Sequence, residues 1–383
     1  MTIAVPPLGH VQAPVWAKSI GGGARSVLDH LLKQGIAVQA ALPALLDLSQ
    51  PSVARLVSGF VADGMVAVSG RAATGRGNPS VELSLIPDYA FSLGAGIMGD
   101  ALSMALVDFA GTVRATRRIA VADPSRQAVV TSLGEMREAI LADTGIDPAR
   151  LVGTGVGFSG FFVDEPLRFN PPALMHDWID ADPLATLAPA LGTSLLCDND
   201  ATAAALAESL LGVGRSCSSF AYCHLTNGFG GALVADGRPV RGALGNAGDF
   251  GAVWWLLDQG YPSLDRLRAL VNGGDATFAT VESMLAEIDA ATPGVERWLA
   301  EAERPFATLA FLLGHVVAPE KVVIGGRLPA WLATALAGRI RLPQSPPRHG
   351  TPFPLPTVVP REVHGEATAI GAALMPLQRL FFR

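Results

Sequence analysis

The sequence predicts an α/β chain in two parts: a small N-terminal module of helices closed by a hairpin, and a larger body containing two α/β units. Three observations carry this reading. Residues 24–62 place apolar side chains at helical spacing, and two alternating runs around a Gly-rich tip follow them. From Phe91 onward, short apolar strands alternate with helical stretches, the pattern of layered α/β folds. Leu195-Leu196-Cys197-Asp198-Asn199-Asp200 runs straight into an Ala-rich segment, as a strand tip does where a helix begins.

In the N-terminal module, Ala24 to Gln34 sets Val27, Leu28, Leu31 and Leu32 on one face, and Gly35 stops the helix. Ala40 to Leu46 is a second, short helix. After the turn Asp47-Leu48-Ser49, Ser49 caps a third helix with Pro51 in its first turn. Val53, Leu56, Val57 and Phe60 form the buried stripe of that helix. Its other face opens with Gln50, Ser52 and Arg55, which are able to reach base edges and phosphates, and Val53 is counted with them as a contact residue. Met65 to Val68 and Val81 to Leu85 then alternate as two strands, joined by a Gly-rich tip carrying Arg71 and Arg76. Helix, helix-turn-helix and basic-tipped hairpin make a winged helix-turn-helix over residues 1–86, and its expected partner is double-stranded DNA. A plain helical packing domain, or a protein-binding variant of the fold, would look similar.

Charge supports the DNA reading. Residues 1–81 hold six basic and three acidic side chains, whereas the 383-residue chain carries a net charge of -6. A basic module on an acidic body is what a chain needs if only one part meets phosphate. The start, Met1 to Pro7, lacks the basic and apolar regions of a secretory signal and reads as a loose arm. No run of about twenty apolar residues suggests a membrane span. Cys197, Cys217 and Cys223 show no metal-like spacing and read as reduced thiols, consistent with a cytoplasmic protein.

The body begins after Pro87-Asp88. Phe91 to Ile97, Ala101 to Asp108 and Thr112 to Val121 are strands, Ser125 to Thr144 is helical, and Leu151 to Gly157 returns as a buried strand. Asn199 suits a helix cap and Asp200 an acidic first turn. The same pair also suits gripping a polyol or taking its proton. Ser219 to Leu225 is a strand followed by the Gly-rich turn Thr226 to Gly231, either a phosphate cradle or a plain hairpin. Lys321 to Gly326 is a further strand and turn, and Glu366 to Leu377 closes the chain as an apolar helix.

In order, Leu93 to Gly111, Gly153 to Gly160, Cys197 to Glu208, Thr226 to Ala232, Gly242 to Gly251, Val322 to Gly326 and Gly365 to Ala373 resemble the motifs of the ROK family of repressors and sugar kinases. The resemblance implies an actin-like, two-lobed ATPase fold for residues 87–383. One lobe would span about 87–198 plus the C-terminal helix, the other about 199–365. It implies a sugar site at Gly160, Asn199, Asp200, Asn246 and Asp249. It also implies vestigial nucleotide loops at Gly228, Gly230 and Gly231 and at Gly325 and Gly326. The family's kinases begin the first phosphate loop with an Asp, where this chain has Gly96, and Asp100 stands on the wrong side of the turn to replace it. Phosphoryl transfer rests on positioning and charge neutralisation, so the loss is severe. Ala252 stands where the family has a zinc-binding His, and no cysteine follows through Tyr261, so Trp254 and Trp255 read as packing that replaces metal. No cofactor is therefore expected: the zinc site is lost, and ATP and magnesium are not anticipated.

The leading expectation is a DNA-binding regulator, a repressor acting as a homodimer or dimer of dimers and answering to a sugar or sugar derivative. The alternatives are a sugar kinase fused to a DNA-binding module, with Asp200 as its base, and a regulator controlled by a protein partner.

Overall fold

The computed structural model describes residues 7–17, 20–72, 80–163, 169–179, 181–192, 194–254, 262–274, 277–344 and 347–383. It opens on a strand that the sequence did not announce. β1 (Leu8–His10) pairs antiparallel with the strand that ends in Asn199, so the residues just after the expected arm join the body. Gly9 is required there: its φ is 95° and a Cβ would lie 2.2 Å from the Leu195 carbonyl oxygen.

α1 (Gly22–Gln34) buries Val27, Leu28, Leu31 and Leu32, and Gly35 ends it with φ 75°. β2 (Ile36–Val38) follows. The expected helix over 40–46 is a 3-10 turn, Gln39–Ala41, and then α2 (Leu42–Leu46). Pro43 has no N–H to return to Gln39, so α-helical bonding restarts there. α3 (Gln50–Ala62) is capped by Ser49, whose Oγ accepts from the Ser52 amide at 3.3 Å. β3 (Val66–Ala72) and β4 (Ser80–Leu85) complete a three-stranded antiparallel sheet in the order β2-β4-β3.

Among the described residues, the body has two large sheets and one two-stranded hairpin. In the first, β5 (Phe91–Ile97), β6 (Ala101–Asp108) and β7 (Val113–Ala120) form an antiparallel meander. α4 (Arg126–Thr144) leads to β8 (Leu151–Phe158), parallel to β5, and to the small hairpin of β9 (Phe161–Phe162) and β10 (Phe169–Asn170). α5 (Pro183–Leu191) precedes β11 (Leu195–Asn199), which runs into α6 (Asp200–Leu211). The order is β1-β11-β8-β5-β6-β7. The second sheet starts with β12 (Phe220–Leu225), β13 (Phe229–Ala235) and β14 (Arg238–Pro239). Helices α7 (Leu264–Val271), α8 (Val281–Glu287) and α9 (Val295–Val316) intervene. β15 (Lys321–Gly326) then pairs parallel with β12, α10 (Ala330–Arg339) follows, and β16 (Thr357–Pro360) forms the edge. α11 (Ala367–Leu380) closes the chain.

Small residues explain the centre. α6 and α11 are buried around nearly their whole circumference and lie so close that a Cβ on Gly371 would fall 1.7 Å from the Ala203 carbonyl oxygen. α11 presses as tightly on the first sheet, where Gly94 and Gly155 leave room for its backbone. One apolar core joins these two helices to α1 through Leu28, Leu31, Phe109, Phe381 and Phe382. Arg25 adds a polar tie, donating to the Gln378, Arg379 and Phe382 carbonyls at the C-terminal end of α11. A guanidinium there satisfies carbonyls that have no helical partner and meets the negative end of the dipole. Among the described residues, no helix is long and apolar enough to cross a membrane.

Candidate functional site

The ends of β8, β11 and β12 and the β12–β13 turn meet between the two sheets around a cavity of about 310 Å3. Asn199 caps α6: its Oδ1 accepts from the Ala201 and Thr202 amides at 2.9 and 3.1 Å, and its Nδ2 donates to the Gly160 carbonyl at 2.7 Å. The cap locks the turn that carries Asp200 into the cavity wall. Asp200 is buried, accepts from the Ala201 amide at 2.8 Å and from Ser159 Oγ, and lies 3.7 Å from His224 Nε2. Burial would raise its carboxyl pKa. The neighbouring His224 ring, the Ser159 hydroxyl and the Ala201 amide outweigh that effect and hold it below the ordinary aspartate value. Asp200 is therefore an ionised acceptor inside a largely apolar cavity.

The other expected sugar residues divide. Asp249 lies exposed at the rim, with its Oδ1 accepting from the Gly251 amide. Asn246 lines the cavity, yet both ends of its amide are taken by Phe162: Oδ1 accepts from the Phe162 N–H at 2.9 Å and Nδ2 donates to its carbonyl at 2.6 Å. It thus pins β9 to the loop after β14. Arg241 in the same loop pairs with the buried Asp198 of β11. Gly160, Gly228, Gly230 and Gly231 line the cavity. Ser159 and His224 were not singled out from sequence. Ser159 follows the end of a predicted strand, and His224 stands inside a run that reads as strand core.

The phosphate side keeps a cavity of about 270 Å3, but it is crossed by side chains that are already paired. At Gly96, a Cβ would meet Ser103 Oγ at 2.6 Å and Thr368 Cγ2 at 3.2 Å, so the position has no room for a carboxylate. Gly325 abuts the Tyr222 ring, and the Gly326 amide donates to the Tyr222 hydroxyl at 2.9 Å instead of pointing to open space. Arg327, only 5% exposed, donates to Asp100 at 2.7 Å and to Asn227 and Glu282 at 2.6 Å each. Arg118 of β7 reaches the same Glu282 at 2.7 Å and also bonds Glu366. Burial would raise the Glu282 carboxyl pKa, but its two arginines outweigh that and lower it. This cluster joins β7 and the β5–β6 turn to α8 and the end of β15, bridging the lobes where ATP and magnesium would be held. Residues that are already paired do not fit that group. Zinc fits no better: Ala252 has no donor, the buried Trp254 packs edge-on against Phe229 and Phe306, and no cluster of metal-ligating side chains occurs among the described residues. Trp255 lies outside them.

In the N-terminal module, Gln50 and Arg55 are exposed on α3 and Ser52 is half-buried. Val53 corrects the expectation. At 1% exposure it belongs to the module's core and presents nothing to a partner. Arg71 lies in β3, and Arg76 and the hairpin tip fall outside the described residues. Two of the module's basic groups serve inward: Arg25 on α11, and Lys33 with Asp29 at 3.2 Å. All three cysteines are buried free thiols.

Two α/β lobes flank a cleft, and a helical module packs against them. Residues 92–256 match the model of the ROK family. It is 27% identical over 361 residues to an uncharacterized protein, y4fQ, of Sinorhizobium fredii, covering 94% of this chain and 91% of that one. Identity to a glucokinase of Halalkalibacterium halodurans is 27% (61% and 79% covered), and to a xylose repressor of Caldicellulosiruptor bescii 24% (59% and 56%). Among solved structures, a ROK family transcriptional regulator described as a homolog of the E. coli MLC protein superposes with TM-score 0.58 at 18% identity, covering 94% of this chain and 97% of that one. That likeness speaks for the fold.

Proposed function

We propose that this protein is a DNA-binding transcriptional regulator of carbohydrate genes, a repressor working as a homodimer, whose cleft senses a sugar in place of phosphorylating it. One observation carries the reading: the hydroxyl-accepting side of the cleft is intact at Asp200, while on the phosphate side Gly96 has no room for a carboxylate and Arg327 is already bound to Asp100, Asn227 and Glu282. The similarity to a xylose repressor, and a structural match to a regulator over 94% of the chain, support it. The N-terminal elements support a winged helix-turn-helix, with α3 as the recognition helix and Gln50, Ser52 and Arg55 facing the duplex; the sequence alone assigns Arg71 and Arg76 to the wing. The module would comprise residues 1–86, except that β1 serves the body.

The route from ligand to DNA runs along α6. Asp200 begins this helix. Its last residue, Leu211, packs with Leu32 of α1 around Gly111, and Arg215 just beyond donates to the Lys33 carbonyl. Sugar binding tilts α6, moves α1 and resets the spacing of the two modules on their half-sites.

A mobility shift tests this: the protein should retard a fragment of its own upstream DNA at moderate salt, and a monosaccharide should alter that retardation. Failure to bind such a fragment would sink the proposal. The similarity to a glucokinase favours one rival reading, a residual kinase, which sugar-dependent ADP release would reveal.

A further inference from the structure

His224, beside Asp200, has unusual surroundings. It lies on β12, 3% exposed, and among the described residues neither ring nitrogen has a hydrogen-bond partner. Burying an imidazole without partners is costly, and an unsatisfied group in a native interior calls for an explanation. Its register neighbours are Gly230 on β13 and Gly325 on β15, so no side chain from either adjacent strand covers it. The ring borders both the sugar-side cavity and a second cavity of about 270 Å3 lined by Arg118, Arg327 and Arg361. It stands at the partition between the two.

Nε2 lies 3.7 Å from Asp200 Oδ2. That is too long for a direct hydrogen bond, and it is a separation that one oxygen at about 2.8 Å from each atom would span. A hydroxyl is the group that does both jobs, donating to the carboxylate and accepting from the ring N–H. A phosphate ester or carboxylate at the same place would bring negative charge against ionised Asp200. Of the arginines lining the second cavity, Arg327 and Arg118 are already bound to Asp100, Glu282 and Glu366, and Arg361 is held by the Val363 and Leu328 carbonyls.

Resting on the sugar-sensor reading, we propose that His224 and Asp200 clamp one free hydroxyl of a neutral sugar, and that the site rejects the sugar phosphorylated at that hydroxyl. The effector is thus the sugar before any kinase has acted on it. His224 is a specificity-determining contact.

The test is calorimetric titration of the full chain with D-glucose, D-mannose, D-xylose and N-acetyl-D-mannosamine, each beside its monophosphates and its monodeoxy analogues. At least one neutral sugar should bind, its ester at the clamped position should not, and one deoxy analogue should bind on the order of tenfold more weakly. His224→Leu should weaken the parent sugar by a similar factor but leave that deoxy analogue unchanged, since the contact is absent in both. A purely structural role would lower both equally. His224→Gln, which keeps a donor, should recover part of the affinity and serves if the leucine variant does not fold. Equal losses for the parent and every deoxy analogue, or an ester binding as tightly as its sugar, would overturn the clamp alone. No binding by any neutral sugar would overturn the sensor reading together with it.

Discussion

Arg327→Met removes the cation at the centre of the cluster that joins the two lobes. Its Nη1 bonds Asp100 and Asn227 at 2.7 and 2.6 Å, and its Nη2 bonds Glu282 at 2.6 Å. The side chains of Arg327 and Asp100 are only 5% and 7% exposed. The loss is therefore dominated by Asp100, left in the interior without its counter-charge. Breaking a buried pair from one side costs about 3–5 kcal/mol. The exposed pair Arg339–Glu296 provides a contrast, since surface bridges are worth about 0–1 kcal/mol. Methionine keeps the length of the stem, so little of the effect comes from packing. Thermal unfolding followed by circular dichroism should show a midpoint lowered by about 4–6 °C. Adding Asp100→Asn should recover part of it, because the stranded charge is then gone. A midpoint within about 1 °C of wild type, or a double variant no better than the single one, would refute the claim that these charges hold the lobes together.

Gly96→Asp should not restore phosphoryl transfer; the new Cβ meets Ser103, so the variant should be less stable and release no ADP. Arg55→Ala should weaken operator binding and reduce the slope of log K against log salt by about one, read by fluorescence anisotropy across a salt series. Asp200→Asn should abolish stabilisation by sugar in a thermal shift yet leave operator affinity nearly unchanged; a matched loss of both would contradict separate sites. Asp200 and Glu282 both have folded pKa values below their ordinary ones, so the stability they contribute is present at neutral pH. It should be lost as acidification passes below about pH 4.3 and on through the folded values. Glu282→Gln should flatten that loss in an unfolding series against pH.

What could be read from the sequence was mostly local. Ser49 and Asn199 declare their caps because a cap bonds amides two or three residues away, and α1 and α3 declare their buried faces by spacing. β1 did not, because a three-residue strand exists only through its pairing with β11, nearly two hundred residues on. Asn246 looked like a ligand contact, but its amide is taken by the backbone of Phe162, which sequence spacing does not reveal. Val53 fits a helix equally well as core or as reading face, and only packing decides. His224 reads as strand core among Phe220, Ala221, Tyr222, Cys223 and Leu225. Its exposure to the cleft depends on glycines on two neighbouring strands. The absence of a carboxylate at Gly96 is plain in the sequence, while the ion cluster on that side draws on residues from Asp100 to Glu366 and has no local signature.

The central claim is that the cleft reports on a sugar to the DNA-binding module. It is tested most directly by the operator dissociation constant, measured by anisotropy at fixed salt with and without the monosaccharide that stabilises the protein. A change of about fivefold or more, lost in Asp200→Asn, is the predicted result. A sugar that binds and leaves the operator constant unchanged would contradict the account.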